Sequence, residues 1–372
     1  MTVVLNTTIR PEVLRGRGAV SNAVGRFEKQ TRVLLDDGWD DGWRSEDGGP
    51  PALRTEVILD STRSIITSNK SPDISFDQSI NPYRGCEHGC IYCFARPSHA
   101  YLGMSPGVDF ESRLFAKPNA AELLAKELSA PGYVPKVIAM GTNTDPYQPL
   151  EKKMRITRSI LEVLAECNHP VGIVTKNAMV ERDIDILAPM AEKNLVNVYV
   201  SLNNLDHGLA RRLEPRCSAP SRRLEAMRRL SSAGIPVGVL VAPVIPFLTD
   251  HEIEPVLEAA YAAGARSAAY VLMRLPYEVK DLFRDWLEVH YPLKAKHVMS
   301  RVHQMRGGRD NDPSFVSRMS GTGEFAALLG KRFDIACQRL GFNAERLNRS
   351  ATTTMFTPPR SLTPEEKQMP LF

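Results

Sequence analysis

The chain has 372 residues, of which 43% are hydrophobic and 24% charged, and its formal net charge is +4. These values are typical of a soluble globular protein. The net charge is too small to indicate by itself which kind of partner the protein binds. The longest apolar run, residues 235–248, contains three prolines and is shorter than the ~20 residues a membrane-spanning helix needs. The first residues resemble no secretory signal, so we expect a cytoplasmic protein with no membrane partner.

Residues 1–68 are predicted to be an irregular N-terminal extension. Glycines and prolines punctuate an acidic, tryptophan-containing stretch between residues 38 and 51. Such a segment is loose or wraps around the core. Arg10, Arg15, Arg17 and the pair Gly16 and Gly18 are candidates for contact with a substrate or the edge of a cluster, although a flexible tail is the interpretation we favour from the sequence.

Residues 69–310 alternate between short apolar runs and helical patterns, which predicts an α/β core domain with a parallel sheet. Strands are predicted at 74–79, 137–141, 171–176, 196–202, 237–244 and 268–275. Helices are predicted at 119–128, 155–167, 180–193, 221–233 and 251–263. Asn119 with Glu122 forms a capping-box-like pair, and Thr249 and Asp250 are capping candidates for the last of these helices.

Three cysteines stand close together in the loop after the first predicted strand. Cys86, Cys90 and Cys93 have the spacing C-x3-C-x2-C, while Cys167, Cys217 and Cys337 are isolated in the sequence. In a cytoplasmic protein clustered cysteines indicate metal rather than disulfides. Three thiolates can hold three irons of a [4Fe–4S] cube and leave the fourth iron open. The alternative is a Cys3His zinc site completed by His88 or His99.

Polar side chains follow the later predicted strands. Thr142 and Asn143 come after the second strand, in a proline-rich turn that Asp145 can cap. Lys176 closes the third strand, where a buried lysine is costly unless it faces a polar ligand. The fourth strand leads to Ser201 and then to Glu214 and Arg216. The alternatives are an ordinary surface turn for the first group and a solvated basic face for the arginines.

The cysteine spacing, with Tyr92 before the last cysteine, resembles the radical S-adenosylmethionine (radical SAM) superfamily. Residues 73–310 are similar to an uncharacterised branch related to spore photoproduct lyase. The motifs that carry this resemblance are Asn81-Pro-Tyr-Arg-Gly, the cysteine loop, Asp145-Pro-Tyr-Gln-Pro, Thr175-Lys, Arg212-Leu-Glu-Pro and Val241-Ala-Pro-Val-Ile-Pro.

The resemblance implies a partial (β/α)6 barrel and an enzyme with two cofactors, a [4Fe–4S] cluster and S-adenosylmethionine (SAM). Cys86, Cys90 and Cys93 would bind the cluster, and SAM would chelate its open iron. Reductive cleavage of SAM would then give a 5′-deoxyadenosyl radical, with an unidentified protein as electron donor. The residues that the resemblance places around SAM are Tyr92, Thr142, Asn143, Lys176, Ser201, Glu214 and Arg216.

Nucleic acid is the substrate class we expect, in DNA repair or modification. Residues 211–229 hold seven arginines against two glutamates, and residues 294–318 hold six lysines and arginines against two aspartates. Such stretches favour phosphate binding. Spore photoproduct lyase uses a cysteine hydrogen donor near the end of the second strand, where this chain has Met140 and Gly141, so dimer repair is not carried over. The catalytic residues stay unassigned.

Other functions are compatible with the same residues. Within the enzyme class, the alternative is radical modification of tRNA, a protein or a small metabolite. Outside that class, the chain could be a non-catalytic, zinc-stabilised binding protein. A brown anaerobic protein that releases 5′-deoxyadenosine would distinguish an enzyme from a zinc protein.

Residues 311–372 are predicted to form a C-terminal helical segment and a flexible tail. A helix is expected at 324–340 with Phe325, Leu328, Leu329 and Phe333 facing inward. The last five residues resemble the peptide by which bacterial replication and repair proteins hold the sliding clamp: Gln368, Met369, Pro370, Leu371 and Phe372. Clamp binding that disappears when these five residues are deleted would support that partner and work on DNA.

Overall fold

A computed structural model describes residues 17–28, 53–344 and 351–359 of the chain. The peptide predicted to bind a sliding clamp, residues 368–372, lies outside the described residues. The strands are β1 Glu56–Leu59, β2 Ile66–Ser68, β3 Gln78–Ile80, β4 Tyr83–Arg84, β5 Arg113–Ala116, β6 Ile138–Met140, β7 Val171–Thr175, β8 Val196–Ser201, β9 Val237–Val244 and β10 Ser267–Leu272.

The main sheet has seven strands in the order β10-β9-β8-β7-β6-β3-β2. The pairs from β3 to β10 are all parallel, and β2 adds an antiparallel edge strand. Parallel strands covered on both faces are apolar throughout, and Ile173, Val198 and Val239 are accordingly fully buried. This is the α/β arrangement with a parallel sheet that the sequence predicts.

Helices connect the parallel strands and continue beyond the last one. They are α1 Val108–Ser112, α2 Ala120–Leu128, α3 Glu151–Met154, α4 Ile156–Glu166, α5 Ile184–Glu192, α6 His207–Leu213, α7 Pro220–Ser232, α8 Ile253–Ala262, α9 Val279–His290, α10 Pro292–Gln304 and α11 Gly323–Leu340. Short 3-10 helices span Arg96–Leu102, Ala178–Asp183 and Asp250–Glu252. In the part of the chain described, no helix is long and apolar enough to cross a membrane.

Several details differ from the sequence predictions. The first parallel strand is β3 at Gln78–Ile80 rather than 74–79, and the helix predicted at 180–193 begins as a 3-10 helix. Asn119 precedes α2, but its side chain makes no capping hydrogen bond, and its Oδ1 has no partner in the described part of the chain. The Thr249 hydroxyl instead accepts the Ile245 N–H (2.8 Å), so it holds the preceding turn rather than α8.

On α11 the predicted inward face wrongly included Leu328. Leu329 and Phe333 are buried, whereas Leu328 is 51% exposed. Successive residues on a helix point about 100° apart, so the residue before Leu329 turns away from α8.

Residues 53–68, within the predicted irregular extension, carry two short strands. β1 pairs with β5, which also pairs with β4, in a separate three-stranded sheet. β2 pairs with β3 at the edge of the main sheet. The extension therefore contributes edge strands to both sheets.

The main sheet is open between its two edge strands, β2 and β10. Arg318 donates to both carboxylate oxygens of Asp73, at 2.5 and 2.7 Å, and Asp73 lies in the connection between β2 and β3. The next residue, Met319, accepts the Leu272 N–H at the end of β10 (2.9 Å). The segment after α10 thus joins the first and last edges of the sheet.

Gly141, directly after β6, lies where the ends of two neighbouring strands approach each other closely. Its φ is +88°, and a Cβ there would lie 2.0 Å from the Val174 carbonyl oxygen. We expect Gly141→Ala to lower the free energy of unfolding by about 3 kcal/mol, because it adds a backbone clash to an unfavourable φ. Urea denaturation of the cluster-free protein measures this.

Gly132→Ala is the matched control, since Gly132 has φ +80° but nothing within 4 Å of its missing Cβ. It should cost about 1 kcal/mol, the penalty for the positive φ alone. Equal losses for the two variants would show that the close approach to Val174 is unimportant.

Candidate active site

The cysteine loop lies at the carboxyl end of the first parallel strand, β3. All three of its cysteines are free, and Cys86 and Cys90 are 7% and 8% exposed. In an open parallel sheet, loops at the carboxyl strand ends form the functional edge. The thiols are therefore sheltered at the edge where a ligand would bind.

Arg96, which sequence reasoning missed, holds the backbone of this loop. It is fully buried, and it donates to the carbonyl oxygens of Cys90 (2.9 Å) and Gly89 (3.1 Å) and to the carboxylate of Glu111. An arginine that saturates several carbonyls in one place is a structural clamp, because its five donors have fixed directions. The signal available in the sequence was only its position three residues after Cys93.

The N-terminal segment lies directly against the loop. Glu111 accepts the N–H groups of Gly18 and Ala19, each at 2.8 Å. A Cβ on Gly18 would lie 1.8 Å from the Gly89 carbonyl oxygen, so only glycine fits there. The flexible-tail interpretation is therefore wrong for Arg17 and Gly18, which are part of the loop's support. Arg10, Arg15 and Gly16 lie outside the described residues.

A buried ion pair ties the loop to the third parallel strand. His88 Nδ1 lies 3.3 Å from Asp145 Oδ2, and Asp145 also accepts from Thr175 Oγ1 and the Lys176 N–H, both at 2.7 Å. Burial raises the pKa of Asp145, but His88 and these donors outweigh it and lower the pKa to about 2. Asp145 also caps its own turn by accepting the Tyr147 N–H (2.8 Å), as predicted.

A second buried carboxylate ties the loop to the fourth strand's connection. Glu214 accepts from the Tyr92 hydroxyl on one oxygen and from Arg223 Nη2 on the other. Arg223 also donates to the Ser201 carbonyl oxygen (3.0 Å). Burial raises the pKa of Glu214, but Arg223 and Lys176 lower it overall. Burial and the neighbouring Glu214 raise the pKa of Tyr92.

Polar groups without partners lie at the ends of the third and fourth parallel strands. Lys176 has no ion pair within 4 Å in the described ranges, although Cys90, Glu214 and Cys217 nearby raise its pKa against the effect of burial. The Ser201 hydroxyl, Asn203 Nδ2 and Asn204 Oδ1 are buried and have no hydrogen-bond partner among the residues that the structure describes. Buried polar atoms are normally satisfied, so these four side chains are the best-placed groups for a polar ligand.

The remaining predicted contacts lie at other points of the edge. Thr142 Oγ1 is 3.3 Å from Asn81 Nδ2, and Asn81 Oδ1 accepts the Asn143 N–H (3.1 Å), leaving the exposed Asn143 side chain available. Arg216 Nη1 is 3.4 Å from Glu87 Oε1. The structure thus brings Tyr92, Lys176, Ser201 and Glu214 together beside Cys90, whereas Thr142 and Asn143 contact Asn81 and Arg216 contacts Glu87.

Cys217 is the fourth thiol at this edge, and the sequence did not reveal it. Its Sγ lies 3.8 Å from Cys90 Sγ. The contact joins residues 127 positions apart, so sequence spacing alone carries no signal for it.

Comparison with known proteins assigns the family. Residues 80–260 match the model of the radical SAM superfamily. An uncharacterised protein of Mycobacterium tuberculosis is 36% identical over 253 residues, covering 66% of this chain and 73% of the relative. The chain belongs to the radical SAM superfamily. An uncharacterised protein of Methanocaldococcus jannaschii is 26% identical over 252 residues, covering 67% of this chain and 89% of that protein.

Solved structures support the radical SAM fold. Spore photoproduct lyase complexed with dinucleoside spore photoproduct matches with a TM-score of 0.52 at 16% identity, over 77% of this chain and 80% of that chain. A variant with the same ligand matches with a TM-score of 0.53 at 14% identity, over 80% and 88% of the two chains. The predicted partial barrel and the predicted radical SAM enzyme class are both confirmed, and the superfamily's cofactors are a [4Fe–4S] cluster and SAM.

The described part of the chain holds no group of three His, Cys, Asp or Glu side chains close enough to bind one metal ion. An iron–sulfur cube presents separate irons to separate thiolates, so it does not need three side chains to converge on one point.

The Asp145–His88 pair generates a stability prediction. We expect Asp145→Asn to lower the free energy of unfolding by about 3 kcal/mol at pH 7, because it leaves a buried imidazolium without its counter-charge. Amides of the cysteine loop should also exchange hydrogen faster. Thermal denaturation and hydrogen exchange of the cluster-free protein measure the two effects.

Asp206→Asn is the control, because Asp206 is exposed and caps α6 by accepting the N–H groups of Gly208 and Leu209. Asparagine caps a helix about as well as aspartate, so this change should stay within about 0.5 kcal/mol. Equal losses in the two variants would contradict the anchoring role of Asp145.

Proposed function

We propose that Cys86, Cys90 and Cys93 bind a [4Fe–4S] cluster and that SAM occupies the polar edge beside Cys90. The observation that carries this proposal is the position of three free thiols, two of them buried, next to a lysine without an ion pair and to buried polar atoms that lack partners among the described residues. When bound, the cluster supplies the electron for the reductive cleavage of SAM to methionine and a 5′-deoxyadenosyl radical. The protein's own residues seat SAM and exclude water.

Each side chain at the edge has a role that follows from its contacts. Lys176 is the cation for the SAM carboxylate, and the Ser201 hydroxyl and Asn203 amide are free to bind hydroxyl or carboxylate oxygens. Thr142 and Asn143 lie at the neighbouring strand end, where acceptors for the SAM ammonium are needed.

Both carboxylate oxygens of Glu214 already accept hydrogen bonds within the protein. We therefore propose that Glu214 acts on SAM indirectly, by positioning Tyr92 and through its electrostatic interaction with Lys176. Arg216 has one carboxylate neighbour and is 35% exposed, which leaves donors for a ligand.

A zinc site completed by histidine is disfavoured by the surroundings of both candidates. His88 has Nδ1 against Asp145 and Nε2 3.2 Å from Asn177 Nδ2, so both of its ring nitrogens face protein groups. His99 Nε2 lies 2.9 Å from the Arg113 carbonyl oxygen, and its buried Nδ1 has no partner among the described residues, but His99 belongs there to no group of three possible metal ligands. A zinc ligand needs a free ring nitrogen directed at the thiolates.

The two basic stretches support the nucleic-acid proposal less than their composition indicates, because several of their arginines have partners within the protein. On α7, Arg222 and Arg229 pair with Glu181, and Arg223 is buried against Glu214. In the second stretch, Arg306 is buried and donates to four backbone carbonyl oxygens. These arginines serve the fold.

Arg274 is a better candidate for contact with nucleic acid. It follows β10, lies within electrostatic range of Cys93, and has its guanidinium carbon 4.2 Å from the centre of the Phe94 ring. It makes no hydrogen bond or ion pair in the described ranges, and Phe94 is 42% exposed. A cation on an exposed aromatic ring suits a phosphate with a stacked base.

The comparisons supply a second, weaker support for this substrate class. Spore photoproduct lyase structures of the same fold hold a dinucleoside spore photoproduct. We therefore propose a nucleic-acid substrate in DNA repair or modification, with radical modification of tRNA, a protein or a small metabolite as the alternative. The clamp-binding peptide and the electron donor stay predictions from the sequence.

Cluster binding is tested by replacing Cys86, Cys90 and Cys93 together with alanine. Anaerobically reconstituted wild-type protein should be brown, with about four irons per chain, and the triple variant should keep less than about a tenth of that iron. With dithionite and SAM, the wild type should release 5′-deoxyadenosine and the triple variant should not.

Cys337→Ala is the control, because Cys337 lies in the apolar core on α11. It should keep both its iron and its activity. A colourless wild-type protein with zinc as its sole metal would refute the proposal.

The substrate proposal is tested with a fluorescein-labelled single-stranded oligonucleotide and the cluster-loaded, full-length protein. We expect binding at low salt that weakens as salt rises, and an affinity about tenfold lower for Arg274→Ala. Anaerobic fluorescence anisotropy measures both.

Arg266→Ala is the matched control, since Arg266 lies on the Tyr261 ring (4.3 Å) at the opposite end of β10. It should change the affinity less than about twofold, because only the contacts at the cysteine-loop end are proposed to matter. No binding at low salt would exclude nucleic acid, and equal effects of the two variants would exclude the Arg274 site.

A further inference from the structure

Cys90 and Cys217 form the one pair of cysteines in sulfur–sulfur contact within residues 17–28, 53–344 and 351–359. Their Sγ atoms are 3.8 Å apart. A disulfide bond is about 2.05 Å long, so the gap exceeds a bond by less than about 2 Å. Side-chain rotation covers a distance of that order.

The contact is held by backbone hydrogen bonds on both sides of Cys90 and in the segment just before Cys217. The Ile91 N–H donates to the Leu213 carbonyl oxygen (3.1 Å), and the Arg216 N–H donates to that of His88 (3.3 Å). The Tyr92 hydroxyl is bound to Glu214 between these two bonds. These three hydrogen bonds hold the segment before Cys217 against the cysteine loop. They therefore keep the two sulfurs close together.

The other cysteines lack this arrangement. Cys167 and Cys337 are buried in the main apolar core, away from the loop. Cys217, in contrast, is partly exposed. An oxidant from solvent can reach it.

We propose that Cys90 and Cys217 form a disulfide in the cluster-free protein and that this bond blocks cluster loading until it is reduced. The bond itself follows from the contact. Its effect on loading rests on the proposed function, in which Cys90 is a cluster ligand, because one sulfur cannot be a disulfide partner and an iron-bound thiolate at once.

The reaction is a two-electron oxidation of two thiols. One S–S bond forms, and the two thiols together lose two protons and two electrons. A peroxide accepts them as its O–O bond breaks, and hydrogen peroxide gives two molecules of water. A dithiol reductant reverses the change by exchange through a mixed disulfide.

The test begins with cluster-free, full-length protein treated with diamide, which converts thiols to disulfides. Remaining thiols are alkylated, and the protein is digested and analysed by mass spectrometry. Wild type and Cys337→Ser should each lose two thiols per chain and yield a linked peptide pair containing Cys90 and Cys217. Cys217→Ser should not yield it.

Iron uptake is then measured without and with dithiothreitol. Diamide-treated wild type should take up less than about a fifth of the iron of reduced protein and should recover with dithiothreitol, whereas treated Cys217→Ser should take up most of its iron without it. Linkage of Cys90 to Cys86 or Cys93, or no linkage, would overturn the disulfide. Full uptake by the linked protein would overturn the block on loading.

Failure of the proposed function has a different signature. Fully reduced wild type would then take up no iron, while the Cys90–Cys217 peptide would still form with diamide. The thiol and peptide measurements need no activity from the loaded enzyme.

Discussion

Three buried carboxylates set the position of the cysteine loop. A buried charge is costly unless charged and hydrogen-bonding partners surround it, and Glu111, Asp145 and Glu214 each meet this requirement with one partner on the loop side and one on a distant segment. Between them they fix the loop to the N-terminal segment, to the end of β7 and to the connection after β8. These ties add to the loop's own backbone hydrogen bonds, which run from the Gly89 N–H to the Cys86 carbonyl oxygen and from the Cys93 N–H to that of Cys90.

The same network separates residues that support the site from residues that are free to bind. Glu214 and Arg96 have their polar atoms saturated by protein groups. Lys176, Ser201 and Asn203 keep polar atoms without partners in the described residues, at the carboxyl ends of neighbouring strands. A ligand that supplies those partners is bound without displacing any existing hydrogen bond, so the site is pre-organised.

The sheet could be predicted from the sequence because six apolar runs at regular spacing have one simple arrangement, and β9 was predicted to the residue. The cysteine loop could be singled out because its three cysteines lie close together in sequence. Cys217, Arg96 and Arg274 were missed for the opposite reason, since their contacts depend on how distant loops meet. The basic stretches misled in part because charge counts do not show that Arg223 and Arg306 are buried. Leu328 was misplaced because helical periodicity resolves a face only to about one residue.

The bond between Arg318 and Asp73 has a consequence for how large molecules approach the site. A complete barrel closes through a row of strand hydrogen bonds, whereas here one partly exposed ion pair joins the segment after α10 to the connection before β3. Such a pair contributes about 1 kcal/mol or less, so thermal motion can break and remake it. The two edges of the main sheet are thus joined by a weak, reversible ion pair. They can separate locally while every strand keeps its hydrogen bonds to its neighbours.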